Sequence, residues 1–72
     1  MERHSIFDSS DIVSVGYDEP SKVLEIEFQG KRVYQYKDVP KEVFNNLMES
    51  GDFTDRFFNE KIQYAYEYSR IK

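Results

Sequence analysis

From Val23 to Gln29 the chain alternates without a break. Leu24, Ile26 and Phe28 are apolar, while Glu25, Glu27 and Gln29 are polar. A period of two marks a strand with one face on a core and the other in water. "IVSVGY" (12–17) has the same period, with Val13, Val15 and Tyr17 set against Ser14 and Gly16. Between these runs "DEPSK" places Pro20 among polar neighbours and reads as a turn. Gly30 ends the second run, and "RVYQYK" (32–37) predicts a third strand.

The register of the second and third strands follows from what each alternative would bury. A one-residue slip turns a whole apolar set to the wrong face. A two-residue turn at Gly30-Lys31 would put Tyr34 and Tyr36 on the face of Glu25 and Glu27. A three-residue loop, Gly30-Lys31-Arg32, pairs Phe28 with Tyr34 and Ile26 with Tyr36, and sets Glu25 opposite Lys37. The second arrangement is the expected one, and it puts both tyrosines on the core side. Val23 and Val33 would then add a small apolar patch to the outer face.

The periodicity changes after Asp38. In "DVPKEVFNNLMESG" the residues Val43, Phe44, Leu47 and Met48 form one stripe at helical spacing. Pro40 suits the first turn and Gly51 the end. A second helix is expected from about Thr54, capped by Thr54, with Phe53 stapled onto Phe58 and the stripe continued by Ile62. Beyond residue 62 two patterns compete. Tyr64, Tyr66 and Tyr68 alternate as in an extended segment, whereas Phe58, Ile62, Ala65 and Tyr66 share a helical face. A helix to about residue 62 followed by extended chain is the expected solution. Residues 1–10 show little periodicity and read as a tail from which Ile6 and Phe7 could dock; residues 11–72 read as a single domain. The predicted architecture is α+β, a three-stranded antiparallel meander with two short helices packed on one face (β-β-β-α-α).

Length bounds what this arrangement can achieve. Seventy-two residues make one small domain, and such a chain buries only about 60% of the surface it exposes when unfolded. There is no cysteine to add a disulfide or a thiolate metal site. Six Phe and six Tyr supply the bulk instead. No apolar run is long enough to span a bilayer, and "MERHSIFDSSD" lacks the apolar stretch of a signal peptide. A cytoplasmic location is therefore expected.

Charge is unevenly placed. The net charge of −4 argues against general affinity for a phosphate backbone. Yet residues 31–41 carry Lys31, Arg32, Lys37 and Lys41 against Asp38 alone, and residues 61–72 are also net positive. Five of the six tyrosines lie in these two positive stretches.

Few residues suggest catalysis. The single histidine, His4, falls in the expected tail and reads as a solvated side chain. Glu25 and Glu27 stand about 7 Å apart on one strand face, a separation found in glycosidases. The expected reading is instead a solvated sheet face paired with Lys37. The acidic residues Asp8, Asp11, Asp18 and Glu19 fit no oxygen cage for calcium, and Gly16, Gly30 and Gly51 are too scattered to cradle a phosphate. No enzyme, cofactor or metal site is expected. Tyr34 and Tyr36 admit two readings that compete for the same ring faces. They are core bricks with a wet phenol tip, or a stacking surface for unpaired bases beside Lys31, Arg32, Lys37 and Lys41.

The ordered segments "VSVGYD", "LEIEFQGKRVYQY", "VPKEVFNNLM" and "FFNEKI", followed by a tyrosine-rich end, are similar to the KTSC domain family. The resemblance spans about residues 9 to 71. The family is named for the C-terminus of some lysyl-tRNA synthetases and also occurs as small free-standing bacterial proteins. Its central Y-x-Y matches Tyr34-Gln35-Tyr36. The chain departs from the family pattern at Asp55-Arg56, where a small residue usually precedes the aromatic-Phe-Asn segment, and at Ala65 and Glu67, which dilute the basic character of the last tyrosine segment. The resemblance implies no activity, but RNA binding has been proposed for the family. It points to a non-catalytic binding module engaging RNA, or a protein bound to RNA, through Lys31, Arg32, Tyr34, Tyr36, Lys37, Lys41 and Arg70. The rival is a protein-interaction or homodimerisation module acting through free sheet edges. Either way the expected state is a monomer or weak homodimer.

Overall fold

The computed structural model describes residues 2–6 and 11–72. Five antiparallel strands form one sheet in the order in which they occur: β1 (Glu2–Ser5), β2 (Ile12–Asp18), β3 (Val23–Phe28), β4 (Arg32–Tyr36) and β5 (Tyr68–Arg70). Helix α1 (Lys41–Met48), a 3₁₀ turn (Gly51–Phe53) and helix α2 (Thr54–Lys61) lie between β4 and β5. The α+β class stands, but the sheet has five strands rather than three. Both additional strands occupy the edges expected to be free. Glu2–Ser5, expected as tail, pairs with β2, and the end of the chain returns to pair with β4. Ile6 packs against the core as expected; Phe7 lies outside the described residues.

The β3–β4 register differs from the expected one by two residues. Phe28 faces Arg32, Ile26 faces Tyr34 and Leu24 faces Tyr36 around a loop of Gln29, Gly30 and Lys31. Gly30 and Lys31 both adopt positive φ, 82° and 62°, which tightens the reversal one residue earlier. Because side chains alternate with a period of two, an even shift keeps each residue on its face. Both tyrosines are thus on the core side, but Glu25 faces Gln35, not Lys37. In β2 a bulge between Ile12 and Ser14 puts Ile12 into the core where Val13 was expected.

The core lies between the sheet and the two helices. Val15, Leu24, Ile26, Val39, Leu47 and Ile62 are fully enclosed, and Phe28, Tyr36 and Phe58 nearly so. The stripe of α1 packs as its spacing predicts, with Val43, Phe44 and Met48 flanking Leu47. Thr54 does not cap α2. It is the first helical residue, and its hydroxyl donates to the Gly51 carbonyl instead. Phe53 is 65% exposed and makes no staple. His4 is half-buried in β1, its ring 6.0 Å from that of Phe44, and is no solvated tail residue. No helix among the described residues is long and apolar enough to cross a membrane.

The two faces of the sheet solve different problems. On the helix-free side Arg3 donates to the Ser14 hydroxyl and to the Glu25 carboxylate. Ser14 donates to Glu27 at 2.8 Å and Gln35 to Glu25 at 3.0 Å. This network knits β1 to β4 and accounts for Glu25 and Glu27 structurally. Val33, expected in an exposed patch, is buried, because Ile71 and Lys72 extend the β5 pairing alongside it.

Candidate nucleic-acid interface

On the helix-bearing side, Phe58 and Asn59 of α2 and Gln63 just after it line a cleft of about 190 Å³ together with Phe28 of β3, Arg32, Tyr34 and Tyr36 of β4 and Tyr68 of β5. Its walls are aromatic. The Phe28 ring meets Tyr34 edge-on at 5.7 Å and Phe58 at 5.4 Å. Tyr68 lies 5.9 Å from Tyr34 and 5.4 Å from Tyr36. The alternation of β4 and its pairing with β5 line up Tyr36 with Tyr68 and Tyr34 with Arg70 on this face.

The polar groups at the cleft are of two kinds. Arg32 is held in place: its guanidinium stands over the Phe28 ring at 5.7 Å, donates to the Gln29 carbonyl at 3.1 Å and lies 3.6 Å from the Asp11 carboxylate. Asp11 is likewise engaged, and the remaining groups are uncommitted. The hydroxyls of Tyr34, Tyr36 and Tyr68 and the side-chain amides of Asn59 and Gln63 make no hydrogen bond to any other described residue. Tyr36 is only 2% exposed, yet no side-chain oxygen sealed from solvent lacks a partner among the described residues. Its hydroxyl is therefore the accessible tip of an otherwise buried ring, at the cleft floor. Burial, reinforced by Tyr68, Tyr34 and Tyr64, pushes its pKa well above the ordinary tyrosine value. It is a neutral hydrogen-bond donor and acceptor at any physiological pH.

The expected site residues divide. Arg32, Tyr34 and Tyr36 line the cleft, and Arg70 faces Tyr34 across the β4–β5 pairing. Lys31 occupies the adjoining turn. Lys37 and Lys41 are elsewhere. Lys37 follows the far end of β4, about 16 Å from Arg32 at ~3.3 Å per residue, and Lys41 pairs with Glu19 at 3.3 Å. The cations that are neighbours in sequence thus form no single stripe. Asn59 and Gln63 were not singled out from the sequence. The signal was present in Asn59 and Gln63, four apart and each next to a core residue of the α2 stripe, Phe58 and Ile62.

Among the described residues no group of three or more His, Asp or Glu side chains could hold a metal ion. The cleft can instead accept one flat, polar-edged ring: open aromatic surface at Tyr68, which is 48% exposed, uncommitted donors and acceptors within, and a guanidinium at the mouth.

Comparison with known proteins agrees with the fold. The KTSC domain profile matches residues 8–66. An uncharacterised protein of Stutzerimonas stutzeri (strain A1501) is 43% identical over 64 residues, covering 88% of this chain and 89% of its own. A protein of Tsukamurella paurometabola is 40% identical over 52 residues, covering 72% and 76%. The crystal structure of a KTSC domain protein from Yersinia pestis superposes with a TM-score of 0.90 at 34% identity, covering 99% of this chain and 97% of the other. With profile, relatives and three-dimensional structure in agreement over most of its length, the chain belongs to the KTSC domain family.

Proposed function

We propose that this protein is a non-catalytic binding module that takes unpaired RNA at the tyrosine cleft. The observation that carries the reading is the uncommitted Tyr36 hydroxyl on the floor of an aromatic cleft with Arg32 at its mouth. An aromatic surface beside a guanidinium suits a base and its phosphate. The satisfied network around Glu25 on the opposite face shows what a purely structural polar cluster looks like in this protein. A cytoplasmic location follows from this reading. Titration of a labelled single-stranded RNA of mixed sequence at about 20 mM salt tests it. Saturable binding that weakens as salt rises is expected, and no binding at that salt removes the RNA reading.

A second reading has its own observation. Tyr64, Tyr68 and Ile71, three of the four most exposed large apolar residues, fall within eight positions at the β5 edge. Such an edge suits pairing with a second copy or another strand. Light scattering over a concentration series distinguishes the two. A monomer with mobile Tyr68 favours RNA, and a dimer with Tyr68 immobilised favours the edge.

A further inference from the structure

The geometry points to recognition of one extruded nucleotide, read by its base edge, rather than to a groove that tracks a single strand. This rests on the RNA reading of the cleft and specifies its substrate.

Three observations limit the site to one base. First, Tyr36 cannot stack with a ligand. Phe58 stands against it at 83° and Tyr68 lies 5.4 Å away, so only its hydroxyl is open. Second, Tyr34 and Tyr68 are 5.9 Å apart and tilted by 47°. That is less than the roughly 7 Å needed to sandwich a base at two contacts of ~3.5 Å. A base must therefore lie on the open side of Tyr68, which leaves one stacking position. Third, the cations do not form a track. Arg32 lines the cleft and Arg70 pairs opposite Tyr34 with its Nε donating to the Lys72 carbonyl at 2.8 Å, while Lys37 begins some 16 Å away at ~3.3 Å per residue and Lys41 is engaged by Glu19. With a net charge of −4 over the whole chain, a long stretch of phosphate backbone finds little to hold it.

The same cleft has more polar chemistry than stacking requires. Two primary amides, Asn59 and Gln63, and the Tyr36 hydroxyl converge on it. Amides pair a donor with an acceptor, as base edges do. Stacking alone tolerates every base, whereas these groups make the bases unequal. Arg32 exchanges its 3.6 Å contact with Asp11 for the nucleotide's phosphate.

The test uses fluorescence anisotropy with labelled RNA hairpins that carry one bulged nucleotide, A, G, C or U. The same hairpin fully paired and a twelve-nucleotide single strand serve for comparison. The expected result is preference for bulged over paired RNA by roughly tenfold or more, and a spread of at least about fivefold among the four bulges. The salt slope should correspond to one or two phosphates, near −1.4 for two contacts at ~0.7 each. Tyr68→Ala should weaken binding about five- to hundredfold. Asn59→Ala, Gln63→Ala and Tyr36→Phe should compress the spread among bulges, and Lys37→Gln with Lys41→Gln should leave affinity within about twofold. Circular dichroism confirms that each variant is folded. If RNA binds but tightens steadily with strand length, shows a slope beyond about −4, or treats all four bulges alike, the single-nucleotide reading falls and the wider RNA reading survives. If no RNA binds at all, both fall.

Discussion

The ring of Phe58 on α2 stands edge-on to the ring of Tyr36 on β4, centroids 5.5 Å apart and planes at 83°. The contact helps join the helical layer to the sheet and lies at the floor of the cleft. Phe58 also meets Phe28 at 5.4 Å, so its removal opens a cavity that neighbouring rings cannot fill. Phe58→Ala should cost about 3–5 kcal/mol, a large part of the stability of a domain this small. Urea denaturation should show most of the variant unfolded at low denaturant, with Phe58→Leu retaining a measurable transition.

Two buried tyrosines should respond unequally to loss of the hydroxyl. Tyr17 donates to the Val39 carbonyl at 2.6 Å in a sealed environment. Tyr17→Phe leaves that carbonyl unpaired and should cost about 1–3 kcal/mol. Tyr36 has no such partner among the described residues, so Tyr36→Phe should change stability by less than about 0.5 kcal/mol. Paired urea titrations check the contrast, and equal losses would contradict the assignment of a free hydroxyl at the cleft floor.

The same tyrosines set the alkaline limit. Burial raises the pKa of both, with neighbouring tyrosines adding to the effect at Tyr36 and Glu19 at Tyr17. Both folded values exceed the unfolded value of 10.0. The native state therefore holds its phenolic protons more tightly than the unfolded chain. That stability is fully present below pH ~10 and is lost as pH rises beyond it. Thermal midpoints measured from pH 8 to 11.5 should be flat and then fall above pH ~10. Absorbance at 295 nm should show Tyr17 and Tyr36 ionising at higher pH in the folded protein than in the urea-unfolded chain.

On the outer face Arg3 ties β1 to the sheet through Ser14 and Glu25. The Glu25 side chain is 14% exposed and that of Arg3 38%, so solvent screens the pair in part. Arg3→Met should cost about 1 kcal/mol at low salt and less at 1 M salt. Amide exchange should quicken in β1 before the rest of the sheet.

The amino-acid pattern alone was enough to decide which face each residue of β3 and β4 takes, although not of β2, where the bulge exchanges Val13 for Ile12. The alternation in β3 and β4 and the stripes of α1 and α2 came from one physical demand, that apolar groups leave water together. A period of two also made the placement of Tyr34 and Tyr36 indifferent to the two-residue error in register. The edge strands were another matter. Glu2–Ser5 has no apolar alternation to betray it, because it is held by backbone pairing to β2 and by Arg3 reaching across the sheet. The cleft was equally hidden. It exists because β5 returns beside β4, bringing Tyr68 and Gln63 to residues about thirty positions earlier in the chain. Local sequence encodes which side chains prefer burial; which uncommitted polar groups end up facing one another depends on contacts between distant segments, and only the folded chain decides those.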